Sequence, residues 1–518
     1  MTTSHRPQKE EPFGIPDGAI GQLEDATSSF ISLPERHGGI ARSPSDARVR
    51  VLIGKLGAGK SLYLRRMQNY QVQHNASTYA AEPASNPSRL QSADLAYFVR
   101  RLRIVGANTE QWKLLWRRAI VRSAASHLAC SKILRPHLPP HGLEALTEFS
   151  DFLGTPKSPR SVVDSAKEII DNKGRLSRFL NASDWTDVEA LLAEMIAQSR
   201  PIFLYVDSLD DTYRWAPTLW TQCQRGLFYT VMDLLRDHVL SQRLHVVVAI
   251  RDITFASIRT SENSLRYLDE THINILDWNR DSIRELLRHK LRTLDSRYFI
   301  DPQSRTVESW LGYKTIANGR PNPAHELLED YLLRHTRLVP RDIIVLGNDF
   351  CRVIATHERS EITPELIRAK VAERSRGFAN AQIATCANQS ISDLLPAEAI
   401  DHDFENIYLQ PQEYTLAEFQ GHVLSCIETT GSEVFHADGV KRLTSCAEEL
   451  FGQPVRLADI LWQQGLLGYV DQNGSHYFSL SSSSQHVLPR LAPSALYRWN
   501  PILFDLTRRI EHAEEAPF

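Results

Sequence analysis

Apolar residues are distributed along this chain in two regimes. Short, almost unbroken apolar runs fall at residues 49–53, 201–206, 244–250 and, more weakly, 272–276. Runs of this length, without the alternation of a half-exposed strand, suit strands buried on both faces of a parallel sheet. Between and after them, segments 62–73, 108–134 and 281–294 are compatible with helices, the last of them cleanly amphipathic. Strands alternating with helices predict an α/β fold with a doubly wound parallel sheet. Ala96-Tyr97-Phe98-Val99 reads as a further short strand, and residues 77–89 as a polar loop.

The pattern divides the chain. Residues 1–47, rich in Pro, Gly, Ser and Glu, form an N-terminal extension that either wraps onto the core or stays partly disordered. The α/β core spans 48–280 and carries a largely helical insertion over 78–200, and a helical region follows at 281–375. A linker at 376–412 leads to a C-terminal α+β domain at 413–518. There, helices at 414–430, 432–451 and 457–464 precede two short strands, 465–470 and 476–480, about Asp471-Gln472-Asn473-Gly474. Helices followed by such a hairpin predict a winged-helix-like domain.

Composition narrows the function classes. A length of 518 residues suggests about three domains, and 42% hydrophobic with 23% charged residues is ordinary for a globular protein. The net charge of −3 does not indicate a nucleic-acid binder, although it leaves room for a local basic patch. The six cysteines are scattered without a CxxC pair and read as reduced packing residues. No apolar signal core opens the chain, and no apolar run reaches the ~18 residues that span a bilayer. The expectation is a soluble cytoplasmic protein without a membrane partner.

The candidate chemistry starts at Gly54-Lys55-Leu56-Gly57-Ala58-Gly59-Lys60-Ser61, with Leu62 continuing into the helix. GxxxxGK[ST] between a strand and a helix is the phosphate-loop pattern. Glycines let the backbone N–H groups wrap around phosphates at a helix N-terminus. Lys60 would reach the β- and γ-phosphates, and Ser61 would ligate Mg²⁺. Downstream, the string FLYVDSLDD places Asp207 at a strand end as the second Mg²⁺ ligand. Asp210, then Asp211, could orient the attacking water, against the plainer reading of acids capping a helix. Arg251 ends the run VVVAIRD, where a cation could sense the γ-phosphate or simply pair with Asp252. Arg341 opens a predicted helix and could reach nucleotide or pair with Asp342. Arg266 and Arg280 are open as arginine fingers but nothing selects them over solvated arginines. Residues 112–122 interleave aromatics with Lys113, Arg117, Arg118 and Arg122, which at helical spacing reads as a core stripe with a charged face before it reads as a nucleic-acid site. The 19 histidines show no ligand spacing, so no metal beyond nucleotide-bound Mg²⁺ is assigned.

Taken in order, GKLGAGKS, FLYVDSLDD, VVVAIRD and RLVPRDI resemble the STAND and origin-recognition-like branch of AAA+ P-loop ATPases, in particular those of bacterial antiphage conflict systems. The resemblance covers about residues 45–350 and, loosely, 410–480. It implies ATP with Mg²⁺ as cofactor, slow hydrolysis, a helical lid bearing Arg341 as sensor, and a winged helix after the lid. It further implies a nucleotide-controlled switch whose effector activity sits in a protein partner, and it leaves a homo-oligomer open. Two features depart from the pattern: the pair Asp210-Asp211 where many relatives have Asp-Glu, and the long insertion at 78–200. The segment from Tyr497 to Ile502 loosely matches a terminal motif of such ATPases. The alternatives are a DNA-linked ATPase of loader or initiator type and a pseudo-ATPase scaffold.

Overall fold

The computed structural model describes residues 11–16, 48–81, 90–102, 109–207, 217–259, 267–317, 325–394, 413–470, 476–478 and 490–503, except 140, 173, 239, 241, 268, 269 and 453. Five parallel strands, β1 (Val51–Gly54), β2 (Tyr79–Ala80), β3 (Ile202–Val206), β4 (Leu244–Arg251) and β5 (Ile273–Leu276), form one sheet in the order β2-β3-β4-β1-β5. The unbroken apolar runs have a direct cause. Val51, Ile53, Leu204, Val206, Val248 and Ile250 enter one hydrophobic cluster, while Leu52, Phe203, Val247 and Ala249 enter another on the opposite face. With both faces covered, the strands are mostly apolar, and the buried Asn274 of β5 is satisfied by donating to the Tyr63 hydroxyl at 3.0 Å. Strand β2 lies inside the segment read as a polar loop; as a two-residue edge strand it carries too little periodicity to be seen.

Helix α1 (Lys60–His74) covers one face through Tyr63, Leu64 and Met67. The other face is covered by helices from the insertion, α2 (Ser92–Leu102), α3 (Thr109–Cys130), α4 (Val162–Asn172) and α5 (Trp185–Gln198), together with α6 (Pro217–Arg236). Short helical turns connect them. The strand expected at Ala96-Tyr97-Phe98-Val99 is instead part of α2. Leu95, Phe98 and Val99 are buried, with Leu102 beside them, a three-and-four spacing that lines one helical face. In α3, Trp112 and Trp116 are buried, and the Trp116 indole donates to the Cys223 carbonyl of α6 at 2.9 Å. Arg117 pairs with Glu189 (2.6 Å) and Asp237 (2.9 Å), Arg118 pairs with Glu189, and Arg122 pairs with Glu168 at 2.8 Å. The interleaved basic residues of this stretch are thus tied into ion pairs above a packed aromatic stripe.

Helix α7 (Asp252–Arg259) lies between β4 and β5, and after β5 comes a helical unit built from α8 (Arg280–Thr293), α9 (Leu328–Arg334) and α10 (Pro340–Thr356). It has its own core around Trp310, Phe350, Leu287 and Leu328, and it carries an antiparallel ribbon, β6 (Thr315–Ala317) with β7 (His325–Leu327). Asn279 caps α8 in a reciprocal box with Ser282. From the N-terminal extension, Phe13 is buried in this helical core rather than against the sheet.

The next helix, α11 (Pro364–Leu394), is 31 residues long and runs through the first half of the expected linker. Ile367 and Val371 join the second core, whereas Ala379, Ile383, Cys386 and Ala387 join a third. One helix therefore serves two cores, and it stays helical because its apolar positions keep a helical spacing across the junction. The third core also takes α12 (Glu413–Glu428), α13 (Ala437–Phe451) and α14 (Leu457–Gln463). Strands β8 (Val434–His436), β9 (Leu467–Val470), β10 (His476–Phe478) and β11 (Leu496–Trp499) form an antiparallel sheet in the order β10-β9-β11-β8. The expected hairpin is β9 with β10, in the register Tyr469 opposite Tyr477. The helix expected from residue 432 begins only at Ala437, because β8 takes the preceding residues to pair with β11.

Among the described residues no helix is long and apolar enough to cross a membrane.

Candidate functional site

The site lies where β1, β3, β4 and β5 end. Immediately after β1 the chain turns through Gly54–Ser61, with Gly57 at φ 88° and Gly59 at φ 91°. Both values lie in the left-handed region that side chains with a Cβ rarely adopt. Gly59 is the N-terminal boundary residue of α1, and no side chain caps the helix there. The first turn of α1 carries no acidic residue, so the positive end of its helix dipole meets no carboxylate of its own turn and suits an anion.

Lys60 is buried and folds back into this turn, donating to the carbonyls of Gly54 (2.9 Å) and Lys55 (3.2 Å). Ser61 Oγ donates to Asp207 Oδ1 at 3.1 Å, across 146 positions of sequence. Asp207 directly follows β3, so the parallel sheet brings its carboxylate beside the start of α1. A lysine, a hydroxyl and a carboxylate converge at the start of a helix. That donor set fits a phosphate chain with a hard divalent cation, which takes oxygen ligands.

Three further contacts hold the turn. The Trp278 indole, two residues beyond β5, donates to the Ala58 carbonyl at 2.9 Å. The Arg341 backbone N–H donates to the Gly57 carbonyl at 3.3 Å. A Cβ on Gly57 would fall 3.1 Å from the Cβ of Arg341 and 3.3 Å from Val339 Cγ2. The helical unit therefore presses the start of α10 directly on the turn. Leu338, just before, is the one non-glycine residue with positive φ (54°) among the described residues, so backbone strain sits at this contact.

Arg251, at the end of β4, is 6% exposed, and its backbone N–H donates to Gln224 Oε1 (3.1 Å). The Thr254 hydroxyl donates to the same oxygen, also at 3.1 Å. Gln224 thereby ties α6 to the strand end. The side chain of Arg341 donates from Nε to the Pro16 carbonyl at 3.2 Å, so the N-terminal segment reaches the same place. Asp342, offered by the sequence as a partner for Arg341, is bound by Arg337 instead (2.6 Å). Lys55 interacts with Asp277 and Asp252; burial pulls its ammonium below the usual value, against those two carboxylates. Burial likewise pushes the Asp277 carboxyl up to about 6, with Lys55 opposing. Leu56 is exposed and Leu62 half-buried at the mouth of the turn.

The structure thus brings together Gly54, Lys55, Gly57, Lys60, Ser61, Asp207 and Arg341, with Arg251 one strand away. Arg280 is engaged by Asp330 at 3.1 Å within the same chain. Asp210, Asp211 and Arg266 lie outside the described residues. Trp278, Gln224 and Asp277 carry no local motif, and only the place of their strands and helices around β1 reveals them.

Comparison with protein-family models and with curated proteins returns no match.

Proposed function

We propose that this protein binds ATP with Mg²⁺ at the Gly54–Ser61 turn and works as a slowly hydrolysing, nucleotide-controlled switch. The observation that carries the proposal is the Ser61–Asp207 hydrogen bond of 3.1 Å, a hydroxyl and a carboxylate placed together beside a buried lysine. Ser61 and Asp207 would hold the metal, which supplies charge neutralisation to the phosphates. Lys60 exchanges its two carbonyl acceptors for phosphate oxygens. Arg251 from the sheet and Arg341 from the lid supply positive charge on either side, and Asp210 or Asp211 would orient water.

The switch part of the reading rests on the contact between Gly57 and the start of α10. Anything that moves the turn moves the lid, and α11 carries that motion from the lid core into the C-terminal core. The antiphage setting and a separate effector partner rest on the family resemblance, and the winged-helix reading of the last domain on that resemblance and on helices followed by the β9–β10 hairpin. The DNA-linked alternative gains no support from α14. Leu457, Ile460, Leu461 and Trp462 on it are buried, and Asp459 accepts from the Leu491 N–H at 3.0 Å.

The test is calorimetric titration with ATP in the presence of Mg²⁺ or excess chelator. Lys60→Ala should weaken binding about 100-fold, the loss of a charge-assisted contact to phosphate. Asp207→Asn should remove the Mg²⁺ dependence. Unaltered binding in both variants would place the nucleotide elsewhere or nowhere.

A further inference from the structure

Two cysteines that lie 20 positions apart, and that no sequence spacing joins, meet in the C-terminal core. The sulfur atoms of Cys426 on α12 and Cys446 on α13 are 3.2 Å apart, and both thiols are free. The helices are held in antiparallel register on either side of them. At one end Phe419 stacks on Phe451 with ring centroids 5.3 Å apart. At the other end Arg442 of α13 donates to the carbonyls of Thr429 (3.1 Å) and Thr430 (3.2 Å), just past the end of α12. The pairs 419 with 451, 426 with 446, and 430 with 442 step down the interface together. The two sulfurs are thus pinned from both sides and cannot drift apart without unpacking it.

We infer that Cys426 and Cys446 form a peroxide-oxidisable dithiol whose disulfide staples α12 to α13. A disulfide needs the sulfurs at about 2.05 Å, so closure takes a movement of about 1.2 Å. The two thiols have different roles because their surroundings differ. Cys426 is fully buried, whereas Cys446 is partly exposed. Burial and the neighbouring thiol hold Cys426 well above the ordinary cysteine range. Cys446 therefore meets the oxidant first. Its thiolate attacks the O–O bond of hydrogen peroxide, forming S–O and releasing hydroxide, which leaves as water with the thiol proton. The Cys426 sulfur then attacks the Cys446 sulfur; the S–S bond forms, S–O breaks, and the hydroxyl departs as a second water with the Cys426 proton. Two thiols supply two electrons to one peroxide.

The staple would sit where α12 packs on α11, the helix that also enters the lid core. Oxidation thus acts on the element connecting the C-terminal domain to the rest of the chain. The other four cysteines lack such a partner: Cys223, Cys351 and Cys386 are each buried alone, and the Cys130 sulfur donates to the Pro156 carbonyl at 3.3 Å.

The experiment treats the full-length protein with hydrogen peroxide, blocks remaining thiols by alkylation and maps peptides under non-reducing conditions. Of the six cysteines, four should stay alkylatable, and one cross-linked peptide pair should contain Cys426 and Cys446. Dithiothreitol should restore all six. Cys446→Ser should leave Cys426 unoxidised, and Cys426→Ala should send Cys446 on to sulfinic acid. Oxidised wild-type protein should resist thermolysin within residues 413–451 at least about tenfold longer than reduced protein, with no such difference in the double variant. If wild-type Cys446 is over-oxidised or links two chains, and the intramolecular pair is absent, the inference is overturned. The mapping on unmutated protein decides this even if a variant folds poorly.

Discussion

Gly57 and Arg341, 284 positions apart, meet backbone to backbone: the Arg341 N–H donates to the Gly57 carbonyl at 3.3 Å. A side chain on Gly57 would meet the Arg341 Cβ at 3.1 Å. The glycine is needed twice, for its φ of 88° and for the close approach of the lid. Gly57→Ala should therefore cost about 1–2 kcal/mol through the backbone alone, and it should also lift the lid. The expected readout is a lower urea midpoint together with faster proteolytic cleavage around residues 336–340. A variant with the wild-type midpoint and cleavage rate would show that the lid does not rest on this glycine.

The N-terminal segment packs into the helical unit that follows the sheet. Phe13 is 1% exposed and lies against Trp310, with centroids 5.2 Å apart, and a Cβ at Gly347 would overlap its ring. Asn348 binds the same segment on both edges, accepting from the Phe13 N–H (2.8 Å) and donating to the Gly14 carbonyl (2.9 Å). Phe13→Ala should cost about 3 kcal/mol or more, the usual range for a buried phenylalanine. Because Arg341 also donates to Pro16, the same variant should weaken ATP binding without touching the phosphate turn. Thermal unfolding and calorimetry on the full chain measure both effects.

In the C-terminal core, Arg498 and Glu433 are each 1% exposed and bonded to one another, with Arg498 Nε 3.1 Å from Glu433 Oε1. Removing one partner strands the other charge away from water. Glu433→Gln or Arg498→Met should each destabilise by about 3–5 kcal/mol. Replacing both by methionine should recover most of the loss, because an apolar pair of similar volume needs no solvation. A double-mutant cycle by denaturant unfolding measures the coupling; additive losses would contradict this.

Acid sensitivity should come from two imidazoles, His127, which is buried, and His245, which is half-buried. Burial holds His127 down at about 4 and, together with the Arg50 guanidinium, His245 at about 3. Arg50 donates to His245 Nδ1 at 2.9 Å, and His127 Nδ1 shares a 2.8 Å hydrogen bond with the Tyr79 hydroxyl. The unfolded chain protonates both near pH 6.5, so unfolding takes up protons below that pH. Their contribution is fully present above about 6.5 and is lost as pH falls toward 4 and then 3, on the order of 3 kcal/mol for His127 and more for His245. His127→Gln should flatten the stability profile between pH 6.5 and 4. An unchanged slope would mean that the imidazole is already solvated.

The sheet could be read from the chain because its strands are apolar on both sides, a pattern that local composition alone displays. The turn after β1 was equally legible, since three closely spaced glycines (Gly54, Gly57 and Gly59) and a lysine–serine pair state a local backbone requirement. Asp207 and Arg251 were expected at strand ends because each closes an apolar run, and β3 and β4 do end there. The failures share another cause. Four apolar residues in α2 suit a strand or a helix face equally, and only packing against α6 and the sheet chooses. Strands β8 and β11, 60 positions apart, exist because each supplies the other's hydrogen bonds.

The same division holds for function. Covalent order and residue type were enough to specify the glycine-bearing turn after β1, its lysine and hydroxyl, and the helices' apolar faces, because those properties act within a few residues. The direct hydrogen bond from Ser61 to Asp207, the arginine that presses on Gly57, the burial of Phe13 and the contact of Cys426 with Cys446 were settled only by the folded chain. These contacts join positions far apart in sequence, and their geometry follows from how sheet order and helix packing divide the available space.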